Sequence, residues 1–209
     1  MYLFTRNVLV NPSHLRAGMA HAVSMSAYVN EKTGLGVSLF QVLQGAPLGT
    51  LTFAYRTDSY AASLEVTDPM LRSDEYLEKV ETGAQYFIGN PEDRLGDIIH
   101  VAGELSGPPA AASIVTATMN VDQAAAAVSW SVNLADYMGE LSGSPVAVLT
   151  SQFGQYGTLS WLAYGQSIAQ LEEAGKKMNS DPGFLKHLGE SSGFFVPGSG
   201  TGILSRKIA

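Results

Sequence analysis

Arg6 stands two residues from Phe4 and two from Val8 in a run, Tyr2 to Val10, that reads as a β-strand. Side chains two apart share one face of a strand, so the guanidinium is aimed at the apolar, helix-covered side. A buried guanidinium needs an anion. Without a protein carboxylate, Arg6 could hold the carboxylate or phenolate of a substrate; the alternative is a strand-end Arg paired with Asp or Glu or reaching solvent. Its counterpart in the second half of the chain is Ala117, so the charge belongs to the first half. Tyr55 and His100 fall on strand segments and are the candidate catalytic pair, Tyr55 as a hydrogen-bonding group and His100 as an acid, a base or an axial haem ligand. A polar strand terminus explains His100 as well, since its counterpart is Arg206.

The remaining histidines do not make a metal site. His14 and His21 lie seven residues apart on one helix, on one flank with Met25 and Tyr28. About 10 Å of helical rise separates them, too far to share an ion. His14, His21 and Tyr28 are therefore expected to contact a protein partner or a second copy. No nucleophile-elbow, phosphate-loop or dinucleotide fingerprint is present. Gly198 to Gly202 is glycine-rich, but it lacks the following Lys and reads as a turn.

These residues sit in a chain of 209 with no cysteine, which excludes a disulfide framework, a thiol nucleophile and thiolate metal ligation. A net charge of -7 with scattered Lys and Arg argues against nucleic acid, and no apolar run approaches a membrane span. The expectation is a soluble, unprocessed, cytoplasmic protein without membrane insertion. Apolar residues make up 45% of the chain, enough for a sizeable core.

The elements that must position the candidates come twice. Gly49-Thr50-Leu51-Thr52-Phe53 returns 108 residues later as Gly157-Thr158-Leu159-Ser160-Trp161. Ser73-Asp74 before Tyr76-Leu77 and Val80 returns as Ser180-Asp181 before Phe184-Leu185 and Leu188. In the first half, strands are expected at 2–10, 37–44, 50–56 and 96–101, with helices at 13–32, 59–66 and 73–83. The second half repeats this order, with Ser106-Gly107-Pro108-Pro109 as a short stiff linker. The chain therefore divides into two repeats, 1–105 and 111–209.

The repeats differ in bulk. Ala22, Ser26, Val29 and Phe53 correspond to Trp130, Leu134, Tyr137 and Trp161. Interiors pack near crystal density, so the second half should be filled and the first could leave room at Ala22 and Ser26, beside Phe53 and Arg6. Those four are the candidate substrate-binding residues. Compensation by neighbours, such as Tyr55 against Ala163, is the competing account.

Two tandem β-α-β-β-α-β units of this length resemble the dimeric α/β-barrel superfamily. The resemblance implies an α+β fold: two ferredoxin-like units whose antiparallel sheets pair as a barrel within one chain, helices outside. It also implies a choice among cofactor-independent monooxygenases, haem-degrading proteins, lactone isomerases, polyketide cyclases and stress-response proteins. The expected function is a small-molecule pocket, with monooxygenase or isomerase chemistry on an aromatic or polyketide-like compound and no cofactor. The alternatives are a non-enzymatic structural or interaction protein, and a haem-binding protein.

Overall fold

The computed structural model describes residues 1–209. Its strands are β1 (Tyr2–Val10), β2 (Ser38–Gln44), β3 (Thr50–Thr57), β4 (Phe87–Ala102), β5 (Ala111–Thr118), β6 (Val146–Phe153), β7 (Thr158–Gly165) and β8 (Thr201–Lys207). Its helices are α1 (Leu15–Thr33), α2 (Tyr60–Leu71), α3 (Asp74–Ala84), α4 (Ala124–Ser142), α5 (Ile168–Ser180) and α6 (Pro182–Glu190). The strands close a barrel in the order β1-β3-β2-β8-β5-β7-β6-β4. The fold is α+β, with tandem ferredoxin-like units.

Local chemistry explains the element ends. The Asn11 side chain accepts from the Ser13 amide and Pro12 opens a short 3-10 turn that leads into α1. Gly34, at φ 69°, ends that helix by returning its amide to the Asn30 carbonyl. Ser59, Ser73, Ser167 and Asp181 cap α2, α3, α5 and α6 by accepting amide hydrogen bonds.

Three elements depart from the sequence expectation. β4 begins at Phe87 rather than 96, because the charged stretch Asn90 to Arg94 is an exposed part of the strand and not a loop. α2 runs past Val66 to Leu71, with Pro69 inside it and Met70 buried in its last turn. α5, the counterpart of α2, runs on to Ser180, past the end that a copy of 59–66 would give, with Leu171 and Ala174 buried.

The chain divides into two compact units, Met1–Leu95 with Lys207–Ala209, and Gly96–Arg206. In the first, β1 and β3 run antiparallel with Phe4 opposite Tyr55 and Arg6 opposite Phe53. Its core is small: Val10, Ala22, Leu39 and Leu51, flanked by Met19, Phe53 and Ile208. On the other face of the same strands, Thr52 donates to the Asn7 side chain at 2.7 Å. In the second unit, α4 rests on β6 and β7, and α5 on β5 and β7. Trp130, Leu134, Trp161 and Phe184 fill that interior. The indoles meet edge to face at 5.8 Å, each also against Phe195. Both indole N–H groups are satisfied, Trp130 by the His187 carbonyl at 3.0 Å and Trp161 by that of Ser131 at 3.4 Å. The bulk read from the sequence is packed as core.

Candidate functional site

The helix-facing side of β1 and β3 carries four residues, Phe4, Arg6, Phe53 and Tyr55, all half-buried. Period-two alternation puts them on one face, and the antiparallel register sets them opposite one another in pairs. Phe4 and Tyr55 stack with centroids 4.9 Å apart at 28°. The Arg6 guanidinium lies 6.0 Å from the Phe4 centroid, continuing the row.

Arg6 is paired. Its Nε and Nη2 each donate to a carboxylate oxygen of Asp93 on β4 at 2.7 Å, a bidentate fork. Its Nη1 donates to the Tyr76 hydroxyl on α3 at 3.4 Å. The hydrogen bond to Asp93 raises the pKa of the guanidinium beyond its ordinary value, against the burial that opposes it, so Arg6 stays cationic. Tyr76 stacks on Tyr28 of α1 at 6.5 Å, and the Lys32 and Lys79 ammonium groups lie 5.4 and 5.0 Å from the Tyr28 ring. At the other end, the Tyr55 hydroxyl reaches the Ser63 hydroxyl on α2 at 3.5 Å, the outer limit of a hydrogen bond. A row of rings thus runs from Tyr55 through Phe4 and Arg6 to Tyr76.

The other residues singled out from the sequence lie elsewhere. Ala22 and Ser26 are sealed beneath this row, Ala22 in the core and Ser26 with its hydroxyl donated to the Val37 carbonyl at 3.1 Å. They pack; the half-open surface is at Phe4, Arg6, Phe53, Tyr55 and Tyr76. His100 belongs to the second unit, where its Nε2 is 2.6 Å from Asp136 on α4. That engagement does not fit an axial haem ligand through Nε2. The flank of His14, His21 and Tyr28 meets its own unit. His14 and His21 lie against Tyr86, His21 also against Phe87, and Tyr28 is buried against Tyr76. His187 lies 3.5 Å from Glu190 on α6. The strand registers also revise one correspondence: Phe53 and Trp161 are repeat partners, Arg6 faces Phe53 and Val115 faces Trp161, so the counterpart of Arg6 is Val115 rather than Ala117. The charge remains peculiar to the first unit.

Burial, and then the nearby Lys79, lower the pKa of His21 below its ordinary value. A base whose folded pKa is depressed contributes stability at neutral pH that is lost as pH falls below about 6.5. We expect the melting temperature of the wild type to fall between pH 7 and pH 5 more steeply than that of His21→Phe. Parallel curves would show that His21 carries none of this dependence.

Asp93 and Tyr76 escaped the sequence reading. Asp93 lies in a charged, exposed stretch that looks like a loop, and its one local signal was a spacing of two from the buried Leu95.

No family model matches this sequence, and no curated protein matches it. Solved structures do. A Fusobacterium nucleatum subsp. nucleatum protein provisionally named a monooxygenase superposes with TM-score 0.69 at 12% identity, over 100% of this chain and 92% of its own. An anthrone oxidase-like protein gives 0.64 at 10%, over 100% and 91%. A major regulator of staphylococcal pathogenesis gives 0.59 at 12%, over 100% of both chains. At these identities the likeness is one of fold: the chain is similar throughout its length to barrels of the dimeric α/β type, joined in tandem. No helix is long and apolar enough to cross a membrane.

Proposed function

We propose that the first unit holds a small-molecule site for a flat aromatic or polyketide-like compound, and that it acts on it without a cofactor, as a monooxygenase or an isomerase. The observation that carries this reading is the half-exposed Phe4–Tyr55 stack continued by a neutralised Arg6 on the helix-facing side of the sheet. An aromatic ligand adds to such a row by offset stacking, worth about 0.5–1.5 kcal/mol per ring pair beyond the area it buries. Of two barrels of similar fold, one carries a monooxygenase name and the other an oxidase-like name, which supports oxidative chemistry without specifying a substrate.

The site's own residues can orient and hydrogen-bond a ligand. Tyr55 and Tyr76 bring hydroxyls, and Asp93 is the carboxylate of the group, held by Arg6. In an oxygenation of this kind dioxygen oxidises a ring CH2 of the bound neutral substrate to C=O, and the second oxygen atom leaves as water with the two hydrogens of that CH2, so no external reductant is needed. Native mass spectrometry of freshly purified protein tests for a retained compound and reports the oligomeric state. A fluorescence titration with naphthalene should quench the tyrosines of the first unit, and Tyr55→Ala should weaken that binding several-fold. A protein that retains nothing and does not respond to naphthalene would favour the second reading.

That second reading is a scaffold or interaction protein. It is favoured by the same Arg6–Asp93 pair, since a guanidinium already matched by a carboxylate needs no ligand to justify it.

A further inference from the structure

Resting on the small-molecule reading above, we infer that Asp93 sets the charge class of the ligand: the first unit takes an uncharged aromatic compound bearing a carbonyl-type acceptor, and Tyr76 donates the hydrogen bond to it. An unpaired Arg on this face would select an anion. Here both oxygens of Asp93 occupy the Nε–Nη2 edge of Arg6, which is the edge that would clamp a ligand carboxylate. Arg6 is part-buried and Asp93 exposed, with side-chain exposures of 32% and 46%, so both groups are within reach of a ligand. An anion arriving there meets a guanidinium already matched and a carboxylate of its own sign.

The third nitrogen of the guanidinium decides what remains. Arg6 Nη1 has only protons to give, so in its contact with Tyr76 the hydroxyl oxygen is the acceptor. The Tyr76 proton is then left to donate, and the structure gives it no protein acceptor. Asp93, Arg6 and Tyr76 form a chain with a fixed polarity that ends in an O–H donor beside the stacked rings. Tyr55 does not duplicate this role, because its proton points to Ser63. A donor at one end and an aromatic wall along the side suit a ring system carrying a neutral oxygen acceptor.

Three probes of equal breadth separate the charge rule from the site itself: naphthalene, 2-acetylnaphthalene and 2-naphthoate, titrated into the intact protein. Wild type should bind 2-acetylnaphthalene about tenfold more tightly than naphthalene, the scale of one desolvated hydrogen bond, and should bind 2-naphthoate most weakly. Asp93→Asn frees the guanidinium and should raise affinity for 2-naphthoate by about tenfold or more, reversing the order of ketone and carboxylate. Tyr76→Phe should bring the affinity for the ketone down to that for naphthalene measured on the same variant. The charge rule is overturned if wild type binds 2-naphthoate as well as the ketone, or if a folded Asp93→Asn keeps the wild-type order. Should Asp93→Asn not fold, the wild-type order and Tyr76→Phe decide alone. Naphthalene binding with no gain from the acetyl group sinks the inference and leaves the aromatic site standing; no binding of any probe removes both.

Discussion

Trp161→Ala should lower the unfolding free energy by about 3–5 kcal/mol, the usual cost of emptying a buried indole position. Trp161 is enclosed by Trp130 and Phe195, and its N–H is satisfied by a backbone carbonyl, so neither ring nor polar atom has a substitute once it is removed. The same change at its repeat partner, Phe53→Ala, should cost clearly less. Phe53 is half-buried beside a core of four buried residues, none larger than leucine. Urea unfolding of the two variants makes the comparison, and equal losses would mean that the two interiors are equally committed to packing.

The second large effect should fall on binding. Phe4→Ala removes one half of the Phe4–Tyr55 stack and the ring beside the Arg6 guanidinium. Affinity for naphthalene should drop by about tenfold or more, since both the stacking surface and the contact area are lost. Stability should change less than for Trp161→Ala, because Phe4 already meets solvent on one side. A variant that loses stability as Trp161→Ala does, while keeping its affinity, would reassign Phe4 to the core.

Much of this was legible in the residues. Repetition around Gly49 and Gly157 told the architecture, because turn glycines and alternating apolar positions report local geometry directly. The bulk at Trp130, Leu134 and Trp161 told which interior would be packed. The site was legible in half. Strand parity placed Arg6 on the face of Phe4 and Val8, but which carboxylate meets it depends on a contact 87 residues away along the chain, and no local pattern encodes that. Helical spacing grouped His14, His21 and Tyr28 on one helix, whereas His14 ends the 3-10 turn before α1 and only His21 and Tyr28 lie on that helix. It could not say that α3 of the same unit, with Tyr76 and Lys79, would lie against Tyr28. His100 looked like a site residue for its chemistry alone, and its neighbour Asp136 on α4 became known only with the fold.

Residues 207–209 belong to the first unit although they come after the whole of the second. Ala209 accepts from the Leu39 amide, Ile208 donates to the Leu39 carbonyl, and the Ile208 side chain joins the core around Leu51. β4 is divided likewise, its opening residues in the first unit and its close in the second. A cut after Leu95 therefore removes Ile208 from the first unit's core and severs β4. The four buried core residues of the first unit have all been synthesised once Leu51 emerges, whereas Ile208 and the backbone partner of Leu39 come only with the last residues of the chain.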